Sequence, residues 1–255
     1  MRPTNNSYSR HIDFGIILEK NNSLDLAFSF LNGNPDVSNL IRSNHVKWGE
    51  DIIFFVFQGF SFAVLSSKGA SITACAVEKV HKYGARSVVF IGTCGSTNES
   101  ILEGTYLLPY AAVRDEGTTS GYLDIKCPAV AHPGLISHLR AQFENHASDS
   151  GITYTTDKRY RENPEELREL FIHANVQSVD METAAFFIVS TYHGLAASAI
   201  RIVTDCAVKE TDGDLKGVYS RDEPFEDFVH PKLIFALKAS LYGLISFDKK
   251  MKNDF

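Results

Sequence analysis

The chain has 255 residues, and its 44% of hydrophobic and 22% of charged residues are the usual composition of a globular protein. Its formal net charge is −6 and no basic cluster runs through it, which argues against a partner such as nucleic acid or an anionic membrane. No apolar stretch follows the N-terminal residues, and no segment reaches the length of a membrane span. We therefore expect neither a signal peptide nor a membrane protein.

Strands and helices alternate along the chain, as the spacing of apolar residues indicates. In chain order the sequence predicts the strand Phe14–Leu18, the helix Leu24–Leu31, the hairpin strands Ile52–Phe57 and Ser61–Leu65, the helix Ser71–Tyr83, the strands Ser87–Ile91 and Tyr106–Val113, the helices Pro133–Glu144, Glu165–Ala174 and Thr183–His193, the strand Ala197–Thr204 and the helix Lys232–Ile245. We therefore predict an α/β fold, a single-domain three-layer αβα sandwich around a central, mostly parallel mixed sheet. It would cover residues 1–255, with residues 1–11 as a flexible N-terminal arm.

The cysteines and histidines show no metal-binding or disulfide pattern. The four cysteines lie far apart without a C-x-x-C pair, which indicates free thiols in a reducing compartment such as the cytoplasm. The nine histidines lack the spacing of metal ligands. We therefore expect no bound metal ion.

The first candidate site is Gly92-Thr93-Cys94-Gly95, directly after the predicted strand Ser87–Ile91. Its two glycines would let a ligand approach the backbone, and Thr93 offers a hydroxyl group. The carboxyl end of a strand is also where α/β sheets bind ligands. A plain turn between a strand and a loop explains the same residues equally well, so this motif alone leaves both interpretations open.

Two acidic sites follow. Glu182 precedes the predicted helix Thr183–His193 and could accept hydrogen bonds from the paired hydroxyls of a ribose, although acids favour helix N-termini without any ligand. Asp205 follows the strand Ala197–Thr204, where an acid suits proton transfer or, equally, a turn. The charged segment Arg114–Ser120 is by itself typical of a loop.

Together and in this order, these motifs resemble the nucleoside phosphorylase family, which contains hexameric purine nucleoside phosphorylases, uridine phosphorylases and related nucleosidases. The resemblance extends from residue 12 to residue 245. Four motifs in order and at suitable spacing outweigh the structural explanations that fit each one alone. The matching segments are Gly92-Thr93-Cys94-Gly95, Arg114–Thr119, Val179–Ala185 and Val203-Thr204-Asp205.

The resemblance implies a role for each matched residue. Glu182 would bind the ribose 2′- and 3′-hydroxyls above Met181, with Thr93 near the ribose and the phosphate. Asp205, supported by Arg221, would protonate N7 of a departing purine, which favours a purine nucleoside as substrate. The other implied contacts are to the base, by Cys94, Gly95, Asp180 and Arg159, and to phosphate, by Gly92, Thr93, Lys20 and Lys47.

The segments expected to hold phosphate depart from the family pattern. Family phosphorylases carry G-D-P-x-x-R near the N-terminus and an arginine just before the G-[ST]-x-G turn, where this chain has Leu18–Ser23 and Phe90. Because arginine binds phosphate best, these losses weaken the case for phosphorolysis. Nucleosidases of the same fold position a water with an acidic residue after the first strand. Glu19 lies near that place but out of register, and the expected position is Ser23.

The sequence leaves three functions open. The first is phosphorolysis of a purine nucleoside to the free base and ribose 1-phosphate, with inorganic phosphate as co-substrate and no other cofactor. The second is hydrolysis by water, and the third is non-catalytic binding or storage of a nucleoside. Since family sites borrow residues from a neighbouring subunit, the resemblance also implies a homo-oligomer, either a dimer or a hexamer built as a trimer of dimers. His11 and Lys47 are the candidates for the borrowed residues.

Overall fold

The computed structural model describes residues 11–19, 22–45, 50–158, 163–208 and 225–253. The α-helices of these ranges are α1 (Asn22–Asn32), α2 (Ala70–Lys82), α3 (Pro133–Arg140), α4 (Pro164–Ala174), α5 (Thr183–Tyr192) and α6 (Phe225–Asn253). The strands are β1 (Phe14–Glu19), β2 (Val37–His45), β3 (Glu50–Phe57), β4 (Phe60–Ser67), β5 (Ser87–Ser96), β6 (Tyr106–Leu107), β7 (Ala111–Asp115), β8 (Ala129–Val130), β9 (Ser148–Asp149), β10 (Ile152–Thr156), β11 (Val176–Asp180) and β12 (Ala196–Cys206).

All of these strands belong to one mixed sheet. Its main path runs β2-β3-β4-β1-β5-β11-β10-β7-β8, and β12 pairs with β5 and β6 off this path. The central pairs β1–β4, β1–β5 and β5–β12 are parallel, whereas β2–β3, β3–β4 and β5–β11 are antiparallel. The carboxyl ends of β1, β5 and β12 therefore meet at one end of the sheet, where an α/β fold binds its ligand.

Helices cover both faces of this sheet and enclose two apolar cores. On one face, α2 and α5 contribute residues such as Val77 and Phe187 to one buried cluster. On the other face, α1, α3 and α6 contribute Leu31, Leu139 and Leu237 to a second cluster. This arrangement confirms the predicted three-layer α/β fold.

The last helix, α6, is the one helix of the described chain that is long and apolar enough, by composition alone, to cross a membrane. However, 56% of its apolar window is buried inside the protein. Ala236 and Leu241 lie in the same cluster as residues of α1 and α3. Such packing is that of a core helix in a globular protein.

The structure corrects several predicted element boundaries. Strands β2, β8, β9, β10 and β11 are absent from the predicted order. Strands β8 and β9 have only two residues each, and polar residues interrupt the apolar pattern of the other three. The predicted strand Tyr106–Val113 is two strands, β6 and β7, with Pro109 between them, since proline cannot donate to a ladder. The α-helix predicted for Pro133–Glu144 ends at Arg140 and continues only as a 3-10 turn, and α6 is longer than the predicted Lys232–Ile245.

Candidate active site

The candidate site lies at a gap along one edge of β5. Strand β12 pairs with the opposite edge along the whole length of β5. On the near edge, β1 pairs only as far as Leu18, opposite Ile91, and β11 arrives from the other direction to pair with Gly95 and Ser96. Within the described chain, the backbone from Gly92 to Cys94 therefore has no strand partner on this edge. Its polar groups face a side chain or a ligand instead.

Glu19, the last residue of β1, occupies this gap. Its Oε2 accepts hydrogen bonds from the Thr93 N–H at 2.5 Å and from the Thr93 hydroxyl at 2.8 Å. The Glu19 side chain is buried. The expected place for an acid, Ser23, instead donates its hydroxyl to the Glu19 backbone carbonyl at 2.8 Å. The structure thus brings Glu19 to the predicted nucleophile end and corrects the expectation from sequence register.

The motif Gly92-Thr93-Cys94-Gly95 lies inside β5 and does not form the turn that the sequence suggests, because pairing with β12 extends the strand to Ser96. Side chains alternate along a strand, so Cys94 points away from Thr93. Cys94 is buried with Ile101, Leu107 and Val203, and burial raises the pKa of its thiol. The Cys94 side chain therefore packs inside the protein, and the contact of Cys94 with the base stays a prediction.

Arg201, on β12, is the only cation in the buried part of the site that the structure describes. Its side chain is 0% exposed. Its Nη2 lies 2.5 Å from Asp180 Oδ2 and 3.3 Å from Glu182 Oε2, and its Nη1 lies 3.9 Å from Glu19 Oε2. The guanidinium carbon lies 4.4 Å from the centre of the Phe90 ring. Arg201 therefore lies between Glu182, the predicted ribose ligand, and Glu19, which binds Thr93.

Asp180 is fully engaged in this cluster. Besides Arg201, it accepts hydrogen bonds from the Thr155 hydroxyl at 2.7 Å and from the Thr183 hydroxyl. Its side chain is 1% exposed. Both carboxylate oxygens thus have buried donors, so that Asp180 supports Arg201, and its contact with the base stays a prediction.

Glu182 lies at the N-terminus of α5, as its neighbours in the sequence predict. Its Oε1 accepts a hydrogen bond from the Gly69 N–H at 2.8 Å, where α2 begins. Met181, next to it, is partly exposed, whereas Glu182 is only 3% exposed. The structure therefore places a fixed, buried carboxylate beside an accessible apolar side chain, the pair that the sequence assigns to ribose.

The buried cluster holds more acids than bases. Glu19, Asp180 and Glu182 surround the single guanidinium of Arg201. Burial and the neighbouring Glu19 carboxylate raise the pKa of Glu182 to about 7, although Arg201 acts in the opposite direction. Burial lowers the pKa of Arg201, but the three carboxylates outweigh it and raise that pKa overall. The buried cluster therefore favours positive charge.

An irregularity in β12 sets the position of Asp205. The pairing with β5 shifts between Val203 and Asp205, so that Asp205 lies opposite Gly95. The Thr204 hydroxyl lies 2.9 Å from Asp205 Oδ1 and fixes its carboxylate. A Cβ on Gly95 would lie 3.6 Å from that same oxygen. The bulge thus brings the Asp205 carboxylate beside Gly95, together with the side chains of Val179 and Ala207.

Arg201 belongs to none of the sequence motifs, although one feature of the sequence indicates its importance. The predicted strand Ala197–Thr204 is apolar or small at its other buried positions, and Arg201 is its one charged residue. A charge in the middle of a buried strand needs partners of opposite sign. The identity of these partners depends on the positions of β1 and β11, which the spacing of residues in the sequence does not reveal.

The other predicted residues have varied positions. Lys20, Lys47, Arg159 and Arg221 lie outside the described residues, and their roles stay predictions. His11 is exposed, and its ring lies so near Gly84 that a Cβ there would approach it to 2.7 Å.

The segment from Arg114 onward forms the end of β7 and a loop that its own hydrogen bonds hold together. The Arg114 guanidinium donates to the carbonyl oxygens of Leu123, Asp124 and Cys127, at distances of 2.6–2.8 Å. Glu116 accepts hydrogen bonds from Thr119, which closes the start of the loop. The charged residues of this motif therefore hold their own loop together, which explains their presence without a ligand.

Comparison with known proteins identifies the family of this chain. Residues 45–229 match the sequence model of the phosphorylase superfamily. The chain belongs to the phosphorylase superfamily. The matched range contains Thr93, Glu182, Arg201 and Asp205, whereas Glu19 precedes it.

Individual members of the phosphorylase superfamily are similar over most of the chain. A guanosine phosphorylase of Halorubrum lacusprofundi is 29% identical over 191 residues, which are 74% of this chain and 76% of that protein. A uridine phosphorylase of Treponema pallidum is 25% identical over 57% of this chain, and the match spans 61% of its length. The crystal structure of a Vibrio fischeri uridine phosphorylase superposes with a TM-score of 0.73 at 20% identity, covering 95% of this chain and 94% of the other. The superposition shows the common fold.

Proposed function

We propose that this protein cleaves the N-glycosidic bond of a nucleoside, with purine nucleosides favoured, by phosphorolysis to the free base and ribose 1-phosphate. Membership of the phosphorylase superfamily and the similarity to guanosine and uridine phosphorylases support the reaction type. The observation that carries the proposal is the placement of Glu182 and Asp205 on opposite edges of β5, since Glu182 follows β11 and Asp205 belongs to β12. One carboxylate suits a sugar and the other suits a leaving base.

The sugar half of the reaction follows from the charge of the site. Glu182, held by the Gly69 N–H, accepts hydrogen bonds from the 2′- and 3′-hydroxyls, and Met181 packs under the ring. As the bond breaks, the ribose acquires oxocarbenium character and positive charge. The excess of buried carboxylate over guanidinium is already in place to stabilise that charge without reorganisation.

The base half depends on Asp205. A purine leaves readily once N7 is protonated, and Asp205 is the acid that the register of β12 places opposite Gly95. The Thr204 hydroxyl orients its carboxylate. The pairing of a proton donor with a buried sugar site is the reason to favour a purine, since a pyrimidine offers no N7.

Phosphate would enter at Thr93, whose N–H and hydroxyl are two donors directed into the gap. Arg201 Nη1 is buried and has no hydrogen-bond partner in the described chain. Arg201 Nη1 also lies beside the segment of β5 that has no strand partner, because a Cβ on Gly92 would come within 2.3 Å of this nitrogen. For a phosphate dianion to use these donors, Glu19 must first give up its hydrogen bonds with Thr93.

Hydrolysis is the second candidate, and the position of Glu19 favours it. A carboxylate that holds both Thr93 donors repels a phosphate dianion, whereas a water can donate to Glu19 and accept from Arg201 Nη1. Glu19 would then take a proton from the attacking water. This route needs no additional cation.

Base release with and without inorganic phosphate separates these functions. Under the first proposal, a purine nucleoside gives ribose 1-phosphate, and release stops when phosphate is removed. Unchanged turnover with free ribose as product would replace phosphorolysis by hydrolysis. Glu19→Gln should then lower the hydrolytic rate at least tenfold, with the exposed Glu99→Gln as matched control. Tight nucleoside binding by calorimetry without any base release would indicate a binding protein instead.

We further propose that the protein acts as a cytoplasmic homo-oligomer without a metal cofactor, in which His11 and Lys47 complete a neighbour's site. The free state of all four cysteines supports a reducing compartment. Light scattering gives the oligomeric state, and a monomer with full activity would contradict the shared site.

A further inference from the structure

The end of β12 beyond Asp205 is held by helix α4. On the β5 side, the Ala207 N–H donates to the Ser96 carbonyl at 2.7 Å. On the other side, Arg168 Nη2 donates to the Val208 carbonyl. The Val208 side chain is 1% exposed and packs against Leu167 of α4. Two anchors therefore hold the three residues that follow the acid.

Arg168 is used for this contact alone in the described chain. It lies on the inner side of α4, next to the buried Leu167, and it is partly buried. Among the described residues it makes no ion pair, and its hydrogen bond to the Val208 carbonyl is the one that it forms. A hydrogen bond from a charged donor is stronger than one between neutral groups.

Helix α4 is itself firmly fixed and suits this task. Asn163 caps its N-terminus by accepting the Glu165 N–H at 3.0 Å, and Pro164 follows at the first helical position. Asn175 ends the helix in the left-handed conformation, at φ 54°. Strand β11, which carries Asp180, begins immediately afterwards. The same helix thus borders both the sugar side and the acid side of the site.

We propose that Arg168 is a positioning residue for the proton donor Asp205. Asp205 is the next-to-last residue of β12, and strand ends fray unless something holds them. Proton transfer requires the acid within hydrogen-bond reach of its acceptor, and a displacement of about 1 Å can cost a hundredfold in rate. Arg168 supplies the fixed point, through the Val208 carbonyl, that keeps the acid aimed. This inference rests on the proposed cleavage of a nucleoside.

The test compares two leaving groups in the variant Arg168→Met, which keeps the stem and removes the donor. A purine nucleoside needs protonation at N7, whereas a nucleoside of an N7-methylated purine already carries the positive charge and needs no acid. We expect kcat/KM for the purine nucleoside to fall about tenfold to a hundredfold and that for the N7-methylated one to fall less than about threefold. Arg168→Lys should recover part of the loss. Arg140→Met, at an exposed arginine of α3, is the matched control and should change neither rate.

A second measurement does not depend on activity. Without the Arg168 anchor, the Ala207 amide should exchange its hydrogen at least about tenfold faster than in the unaltered protein or in Arg140→Met. Unchanged exchange at Ala207 would overturn the proposal, and so would an equal fall in kcat/KM for both substrates. If the unaltered protein cleaves neither nucleoside, the proposed function fails, and the exchange measurement still decides whether Arg168 anchors the strand.

Discussion

Replacing Arg201 with methionine should destabilise the protein strongly and in a pH-dependent way. Methionine keeps much of the aliphatic stem but removes the guanidinium, which lies over the Phe90 ring. The carboxylates of Glu19, Asp180 and Glu182 then remain buried together without a cation. Removing one partner of a buried ion pair costs about 3–5 kcal/mol. For a chain of this size, that lowers the unfolding temperature by roughly 6–20 °C.

The pH dependence follows from the sign of the pKa shift. The pKa of Glu182 is already about 7 in the folded protein, compared with 4.5 for an ordinary glutamate. A carboxyl group with a higher pKa when folded binds more protons in the folded state, so its contribution to stability falls as the pH rises between the two values. Without Arg201 this pKa rises further. The loss of stability should therefore be largest near pH 8 and smaller at pH 5.5, where protons replace the missing cation.

Urea unfolding followed by far-UV circular dichroism at both pH values measures this effect. Arg140→Met, at an exposed arginine of α3, is the control and should change the free energy of unfolding little. Adding Asp180→Asn to the Arg201 variant should recover part of the loss, because it removes one of the uncompensated charges. A variant within about 1 kcal/mol of the unaltered protein at pH 8, or one equally destabilised at pH 5.5, would refute the charge argument.

Three further predictions test the sugar and base halves of the site. Gly92→Ala would place a Cβ 2.3 Å from Arg201 Nη1 and should cost about 1–3 kcal/mol in thermal unfolding, whereas Gly121→Ala has nothing within 4 Å and should cost little; equal unfolding temperatures would contradict this. The KM for a nucleoside should fall as the pH rises from 6 to 8 (range chosen about the Glu182 pKa of about 7), because only the ionised Glu182 accepts from both ribose hydroxyls, and a flat profile of initial rates counts against that role. Asp205→Asn should lower kcat for a purine nucleoside by about 10²–10⁴-fold, with KM little changed, and a loss below about tenfold in a base-release assay would remove Asp205 as the acid.

The fold could be predicted largely from local patterns. Continuous apolar strands such as β5 and apolar helices such as α5 show their type and burial through composition. Strands of mixed composition cannot be recognised from such local patterns. Val37–His45 and Val176–Asp180 contain polar residues whose partners lie on other strands, so their pairing, and not their own sequence, makes them strands.

The candidate site, like the fold, could be predicted from the sequence only in part. Glu182 and Asp205 are recognisable because each stands in a short motif next to an element end. Asp180 and Cys94 belong to the same motifs, but their side chains turn out to be buried among protein groups. Adjacency in sequence places residues in the same region of a strand, whereas alternation and packing decide which of them can meet a ligand.

The sequence by itself indicated the alternation of strands and helices, the family, and Glu182 and Asp205 as the predicted sugar and base residues. It did so because these properties depend on residues that are close together in the chain. The tertiary structure decided that Glu19 and Arg201 meet at Thr93. That meeting depends on where β1 ends, on where β11 begins to pair and on the register of β12 against β5. Sheet register is set by the packing of all strands at once, so no local pattern could specify which charges share the gap.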